Sequence, residues 1–286
     1  MEQMIRSLYP VKILKNEYDI DINSAMQDDV NGISWVFADL LSLIGIDFFT
    51  IAVNPIRGAR VKPFPGAFNW QGPSNGNVLA WNGFHYLFGR SQVGFGNNDF
   101  TKKLLPRFLN QLENDDSYNY DFLYCESTHP IRVDNGPPDE RMPNFVKSWN
   151  ENNEIKMEFV TVSEFGTKLK KEYSDQLPVL RGDWTDHWTD GPGSSSYETG
   201  LNRRTHELLL SYEGVETILK NFELSGWDSK KVASIYENMT LYDEHTWGAY
   251  TSIQMPETLF SKAIWNKKSW YAYNSAMETT DLLAKS

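Results

Sequence analysis

Carboxylates, an imidazole and indole rings are concentrated in one ten-residue run of the chain, GDWTDHWTDG at residues 182–191. Its aspartates and His187 offer oxygen and nitrogen atoms, which are donors that zinc binds. Trp184 and Trp188 flank the histidine and offer flat apolar faces on which a sugar ring can stack. The run therefore predicts the wall of a binding site, and the simpler alternative is a polar loop with an unliganded surface histidine.

Two further clusters place carboxylates where a strand is expected to end. Asp28 and Asp29 follow the short strand pattern DINSAM and precede a helical pattern that begins near Ser34. Asp134 lies in THPIRVDNGPPDE, directly after the strand pattern YDFLYCES. In parallel β/α folds, ligands bind at the carboxyl ends of strands, so these carboxylates are candidate site residues. The simpler alternatives are a helix cap at Asp28 or Asp29 and a turn at Asp134.

A fourth polar cluster, LYDEHTWGA, brings Asp243, Glu244 and His245 together in the C-terminal part of the chain. An exposed helix face would explain it equally well. The sequence contains no HxxxH zinc spacing, no GxSxG and no glycine-rich phosphate loop.

The elements that position these clusters alternate between strands and helices up to about residue 180. Strand patterns are DFFTIAV, NVLAWNGF, YDFLYCES and IKMEFVTV, and helical patterns include WVFADLLSLIGI, FTKKLLPRFLNQLEN (interrupted at Pro106), MPNFVKSWNENN and VSEFGTKLKKEY. This alternation predicts an α/β fold, a parallel β/α barrel-like domain with helices around the sheet.

The pattern changes after GPGSSS, which begins at Gly191. Three long segments with 3.6-residue periodicity follow, separated by Gly, Ser or Pro, and they predict a three-helix bundle. We therefore predict two domains, a β/α catalytic domain at residues 1–191 and a helical bundle at residues 192–286.

Composition narrows the classes of partner. The 286 residues carry a formal net charge of −11, which argues against nucleic acid or anionic lipid as a ligand. No apolar run approaches the roughly 20 residues of a membrane span, and the single cysteine, Cys125, excludes an intrachain disulfide. Ten tryptophans suit either a sugar-facing surface or a large core. Nothing in the sequence defines an oligomeric state or a cellular compartment.

Four ordered segments together resemble the catalytic region of glycoside hydrolase family 38, the α-mannosidase-like enzymes, in a divergent branch. They are SAMQDDVNGISWVFADLLSLIGIDFF, DNGPPDERMPNFVKSWNE, GDWTDHWTDGPGSSSYETGLNRR and LYDEHTWGA. The resemblance spans nearly the whole chain. It implies a β/α domain followed by a three-helix bundle, retaining hydrolysis and one zinc ion.

The resemblance also implies roles for individual residues. Asp29 matches the aspartate of the DPFGHS-like segment, which is both nucleophile and zinc ligand, and His187 matches a zinc-binding histidine. Asp134 matches the general acid/base, and we prefer it to Asp121, which begins its predicted strand. Asp243 and Glu244 occupy the place of a sugar-contacting segment. Trp35, Trp184 and Trp188 are expected to stack on the sugar or to wall the pocket.

One feature of the family is missing from this sequence. The family supplies two further zinc ligands from a His-x-Asp motif on its first strand, and no HxD occurs in these 286 residues. The chain is expected to begin on the helix after that strand, as a fragment of a longer protein whose catalytic domain is incomplete at its N-terminus. The other explanation is a site that has decayed and binds no metal.

The resemblance therefore implies a zinc-dependent retaining glycoside hydrolase that acts on terminal α-mannoside-like sugars through a covalent glycosyl-aspartate. An alternative is a catalytically inactive carbohydrate-binding or scaffold relative that lacks a complete zinc site. A third possibility is an unrelated β/α protein with an acidic surface, in which Asp29, Asp134 and His187 do not converge.

Overall fold

A computed structural model describes residues 2–30, 32–54, 62–130, 136–184, 191–246, 248–249 and 251–286. The helices of this described part are α1 (Glu2–Ser7), α2 (Tyr9–Tyr18), α3 (Val36–Leu43), α4 (Phe88–Ser91), α5 (Asn98–Glu113), α6 (Met142–Asn152), α7 (Val162–Tyr173), α8 (Ser196–Lys220), α9 (Ser229–Tyr242) and α10 (Leu259–Leu283). The strands are β1 (Ser24–Asp29), β2 (Phe48–Val53), β3 (Gly66–Gln71), β4 (Asn77–Asn82) and β5 (Val179–Leu180).

The five strands form one mixed sheet in the order β1-β2-β4-β3-β5. Strands β1, β2 and β4 are neighbours and run parallel, while β3 pairs antiparallel with β4 and parallel with β5. The α/β class predicted from the strand and helix alternation is confirmed. Because β1, β2 and β4 are parallel neighbours, their carboxyl ends lie side by side at one edge of the sheet.

The sheet is covered on both faces, which explains why β2 is apolar at every position except Thr50. Phe49, Ile51 and Val53 point to the side covered by α3, where they join a core with residues of β3 and β4. Phe48 points to the opposite side and meets Phe165 of α7 in an edge-to-face contact of 5.7 Å between ring centroids. Burial on both faces is typical of parallel strands.

The predicted strand YDFLYCES, at residues 120–127, is not a strand in the structure. Its aromatic side chains pack against the sheet and against α7, and its backbone joins no ladder. Tyr124 stacks on Phe165 of α7 with parallel rings 3.9 Å apart, and Tyr120 meets Trp81 edge-to-face. The alternating aromatic residues that indicated a strand therefore serve to cover the sheet.

Two other predicted elements also differ. Residues 155–161 form no strand, and Val162 begins α7. The backbone N–H and C=O of Met157 bond to the side chain of Asn150 and not to a neighbouring strand. Helix α5 continues through Pro106, where an interruption was expected. Its Asn97 cap and its buried residues on both sides of the proline hold the two halves in one helix.

The three predicted long helices of the C-terminal part are α8, α9 and α10, so the helical C-terminal region is confirmed. Leu209 and Tyr212 of α8 pack against Val232, Ile235 and Met239 of α9. The end of α10 contributes Leu282 and Leu283 to the same core. No helix in the described part of the chain is long and apolar enough to cross a membrane.

The chain divides into two compact units, Ile20–His187 and Met1–Asp19 with Trp188–Ser286. Residues 1–19 were predicted to belong to the sheet domain, and in the structure they belong to the helical unit. Arg6 explains this, because its guanidinium pairs with Glu213 of α8 at 2.7 Å and lies 4.4 Å from the ring centre of Tyr236 in α9. The division between His187 and Trp188 lies four residues before the single domain boundary predicted after residue 191.

Candidate active site

Three polar side chains meet where the parallel strands β1, β2 and β4 end. Asp29 is the last residue of β1, Asn54 directly follows β2, and His85 lies three residues after β4. Asn54 Nδ2 donates to Asp29 Oδ1 at 2.7 Å, and His85 Nε2 lies 2.7 Å from the same oxygen. The carboxyl edge of the sheet therefore presents one carboxylate that is held from two neighbouring strand ends.

Asp29 has an unusual backbone conformation for a residue with a side chain. Its φ is +70°, in the left-handed region, where Asp and Asn are among the few residue types found regularly. This turn occurs at the last residue of the ladder that pairs β1 with β2. The side chain is 21% exposed, so the carboxylate is accessible while it is partly shielded from water.

His85 and Asn54 are site residues that the sequence interpretation missed. Both follow strands, NVLAWN and FFTIAV, so the rule that pointed to Asp29 also applied to them. Asn54 gave no signal because it precedes Pro55 in a stretch that resembled an ordinary loop. His85 is separated from the end of β4 by Gly83 and Phe84. It also has no charged residue next to it in the sequence that would have indicated a polar site.

Asp28, next to Asp29, faces a second carboxyl group. Both of its carboxyl oxygens are buried, and neither makes a hydrogen bond of ordinary geometry with the described part of the chain. Burial, together with the adjacent Glu126, raises the pKa of Asp28 to about 9. Asp28 therefore favours its protonated form, because burial and the neighbouring carboxyl group both disfavour a negative charge on it.

The segment from the end of β4 through α4, residues 83–92, contacts the Asp29 carboxylate and the backbone of Glu126. It carries His85 to Asp29, and four residues later the N–H of Gly89 donates to the backbone oxygen of Glu126 at 2.9 Å. A Cβ atom on Gly89 would lie only 2.3 Å from that oxygen. The close approach that places Glu126 beside Asp28 therefore requires glycine at this position.

The same helix also holds the chain that follows Asp134. Arg90 Nη2 pairs with Asp139 Oδ2 at 2.7 Å, and the Asp139 side chain is only 5% exposed. Hydrogen bonds from Arg141 and Arg90 hold the pKa of Asp139 well below its usual range. Asp139, five residues after Asp134, is thereby tied to α4, and Asp134 itself lies outside the described residues.

The predicted aromatic wall is only partly described. Trp35 donates its indole N–H to the backbone oxygen of Gln71 at 2.6 Å and is half-buried against the core. Trp184 is 5% exposed, and its ring packs against Phe68 and Trp70. Trp184 therefore packs into the core beside the sheet, and its predicted role as a sugar contact or pocket wall stays a prediction. His187 and Trp188 lie outside the described residues.

Asp243 and Glu244, the predicted sugar contacts, lie at the end of α9 in the helical unit. Asp243 accepts from Asn202 Nδ2 at 2.8 Å, and His206 Nε2 lies 3.3 Å from its other oxygen. Glu244 pairs with Lys268 of α10. Burial opposes ionisation of Glu244, but hydrogen bonds from His245 and Lys268 hold its pKa below the usual range. A contact of either carboxylate with sugar stays a prediction.

The described residues do not by themselves form a zinc site. Structural and catalytic zinc ions bind three or four protein ligands. No three His, Cys, Asp or Glu side chains of the described ranges are grouped so that they could hold a metal ion. Of the two predicted ligands only Asp29 is described, and its Oδ1 already contacts Asn54 and His85.

Comparisons with known proteins identify the family to which this α/β sheet, with its strand-end carboxylate and helical C-terminal region, belongs. Residues 1–183 match the model of the Glycosyl hydrolases family 38 N-terminal domain, so the chain belongs to this family. An α-mannosidase from Enterococcus faecalis V583 has a similar structure, with a TM-score of 0.68 and 14% sequence identity. The match covers 99% of this chain and 32% of that one, so the chain spans about a third of that protein. No curated protein matches the chain.

The Asp28 carboxyl makes stability depend on pH. Its pKa is raised in the folded protein from an ordinary value near 4, so unfolding releases a proton between about pH 4 and pH 9. The free energy of unfolding therefore falls as pH rises through this range, by at most about 1.4 kcal/mol per pH unit. Asp28→Asn has no carboxyl proton to release at this position, so its free energy of unfolding should not show this fall. In urea unfolding at pH 5, 6.5 and 8, the free energy of unfolding of the variant should increase relative to that of the wild type at each higher pH.

The matched control for this measurement is Asp47→Asn. Asp47 is exposed and pairs with Lys170 at the surface, 3.2 Å away. Its difference from the wild type should stay nearly constant with pH. A constant difference for Asp28→Asn as well would show that Asp28 is ionised in the folded protein.

Gly89→Ala should destabilise the protein by about 1–3 kcal/mol, because the added methyl group overlaps the backbone of Glu126. Gly214→Ala, in the exposed middle of α8, meets no atom within 4 Å. It should stabilise the protein by about 0.5–1 kcal/mol, the usual gain from Gly to Ala in a helix. Urea unfolding of the two variants checks both values, and equal effects would contradict the close approach at Gly89.

Proposed function

We propose that the chain is the catalytic part of a retaining glycoside hydrolase that removes terminal α-mannoside-like sugars, with Asp29 as nucleophile and Asp134 as general acid/base. The observation that carries this proposal is the Asp29 carboxylate at the carboxyl edge of the sheet, held by Asn54 and His85. Membership in glycosyl hydrolase family 38 supports the reaction class. The similar structure is an α-mannosidase, which supports the choice of sugar.

In the first step, an oxygen of Asp29 bonds to the anomeric carbon while the bond from that carbon to the leaving oxygen breaks. Asp134 gives its proton to the leaving oxygen. The products of this step are a glycosyl ester on Asp29, a free alcohol and an ionised Asp134.

In the second step, the Asp134 carboxylate takes a proton from water, and the water oxygen bonds to the anomeric carbon. The ester bond breaks, and Asp29 leaves as a carboxylate. The sugar is released with its original anomeric configuration because each step inverts that carbon once. A protonated Asp134 at the start requires a raised pKa, as is usual for the acid of such a pair.

A second candidate function is a relative that binds carbohydrate without hydrolysing it. The observation that favours it is the lack of an HxD motif in the sequence, together with the lack of a three-ligand metal cluster among the residues with described positions. This candidate predicts that mannosides bind equally well to the wild type and to Asp29→Asn, and that neither releases sugar.

Release of p-nitrophenol from p-nitrophenyl α-mannoside tests the assignment of the nucleophile. Asp29→Asn should lower kcat/KM at least ~10³-fold, because a neutral amide oxygen attacks the anomeric carbon poorly. Asp47→Asn, an exposed aspartate at the start of β2, should leave the rate unchanged. Full activity of Asp29→Asn would overturn the role of Asp29.

Zinc on Asp29 and His187 remains a prediction, and neither step above is assigned to a metal. Because the sequence lacks the HxD ligands, we expect zinc to be held weakly. Metal analysis after dialysis against a chelator should find well under one zinc per chain, and His187→Ala should reduce it further. One zinc per chain that survives the dialysis would show a complete site.

A further inference from the structure

The helical unit contains a cleft of about 440 Å³ beside the start of α10. Its described lining comes from the approach to α8, from the segment between α9 and α10, and from the first turns of α10. These stretches all belong to the helical unit, whereas Asp29 belongs to the other unit. The volume is within the range of ~300–1,000 Å³ in which small-molecule sites fall.

Trp265 forms an aromatic wall of this cleft, and its ring is held in place by the backbone. The indole N–H donates to the backbone oxygen of Ser194 at 3.3 Å. A Cβ atom on Gly248 would lie only 2.6 Å from Cδ1 of the ring, so the ring packs directly on the backbone at this glycine. The wall is therefore positioned before a ligand binds, which lowers the entropy cost of binding.

A buried hydrogen-bond network supports the polar part of the lining. Ser261 is 3% exposed, and its hydroxyl donates to the backbone oxygen of Met255 at 2.7 Å and lies 2.6 Å from Thr251 Oγ1. Ser252 and Asn266 also line the cleft and are more exposed. Hydroxyl and amide groups both donate and accept hydrogen bonds, as the hydroxyl groups of a sugar do.

The charges at the cleft favour a neutral ligand. Among the residues with described positions, the only charged one in the lining is Lys262, and its ammonium group pairs with Glu257 at 2.6 Å. This pair leaves little net charge to attract an anion, and the described lining has no carboxylate to attract a cation. An aromatic wall beside groups that both donate and accept is matched to a pyranose, which has an apolar face and hydroxyl groups at its edge.

We propose that this cleft is a second carbohydrate site, which binds one sugar residue of a glycan without cleaving it. The sugar places its apolar face on Trp265 and bonds through its hydroxyl groups to Asn266 and Ser252. Hydrolysis would need a pair of carboxyl groups, and the described lining contains none. Binding in the cleft is therefore independent of the role proposed for Asp29.

An exposed indole ring follows the cleft along α10. Trp270 lies four residues after Asn266, so the two side chains are neighbours on one face of the helix. The Trp270 side chain is 54% exposed, which leaves surface for a ligand. A second sugar residue, linked to the one in the cleft, would stack on this ring. A longer glycan should therefore bind more tightly than a monosaccharide.

Titration with methyl α-mannoside, a sugar of the class proposed for the enzyme, tests the cleft by NMR of protein labelled with ¹⁵N-tryptophan. The Trp265 indole signal, identified among ten tryptophans by its loss in Trp265→Phe, should shift on binding. The dissociation constant should be on the order of 1 mM. Asn266→Ala should weaken binding about 3- to 10-fold, the effect of one lost hydrogen bond. The matched control is Asn110→Ala, an exposed asparagine of α5 in the other unit, which should bind as the wild type does.

An α-linked mannotriose tests the contact with Trp270, in Asp29→Asn protein so that the sugar is not cleaved. It should bind up to about 10-fold more tightly than methyl α-mannoside, and Trp270→Ala should remove this gain. Phe222→Ala is the control for removal of an exposed ring, because Phe222 is 68% exposed and follows the far end of α8. It should keep the gain.

Sodium phosphate is the anion probe and should leave the Trp265 signal unchanged. A larger shift with phosphate than with mannoside would overturn the proposal and make the cleft an anion site. No shift with mannoside at about ten times the expected dissociation constant, or equal affinity of the wild type and Asn266→Ala, would also overturn it. None of these measurements needs hydrolysis, so their failure is distinguishable from a failure of the proposed function.

Discussion

The contact between the Asp29 carboxylate and its two partners depends on the register of three parallel strands. Asp29 is paired with Val53 across β1 and β2, which places Asn54 one residue beyond the carboxylate. Ile51 is paired with Asn82 across β2 and β4, which sets where the chain to His85 leaves the sheet. A slip of one residue in either ladder would turn the side chains to the opposite face and separate all three groups.

Burial of both sheet faces fixes that register. Every residue of β2 is buried, and its neighbours alternate between the α3 side and the α7 side. Large rings fill these layers, including Trp70 and Trp81, each about 1% exposed. A shift of the strands would force such rings into occupied space, so the aromatic core restricts the geometry of the site without contacting a substrate.

Much of the sheet could be predicted from the sequence because its strands are strongly apolar and end at polar residues. DFFTIAV and NVLAWNGF were recognised as strands, and Asp29 was identified at the end of a third. Residues 120–127 were misassigned because a strand and an aromatic cover over a sheet share the same alternation, and only tertiary contacts separate them. Asn54 and His85 were missed as partners of Asp29 because local sequence patterns do not predict which strands pair. The pairing of β1 with β2 and of β2 with β4 is what brings the three residues together.

Local sequence patterns also could not predict that residues 1–19 belong to the helical unit. Their amphipathic pattern predicts a helix but does not say which apolar surface covers it. Arg6 finds Glu213 across a separation of 207 residues, and Gln3 donates to the backbone oxygen of Tyr236 at 3.1 Å. An ion pair between positions this far apart in the chain cannot be predicted from a local sequence pattern.

Because the sheet-forming residues lie in sequence between the two parts of the helical unit, the order of synthesis has a consequence for folding. At about 5–20 residues per second, α1 waits on the order of 10–40 s for its partner helices to be made. During that delay its apolar side chains lack their native cover, whereas the strands of the sheet find one another sooner. In the cell, α1 is thus made well before the helices that it finally contacts.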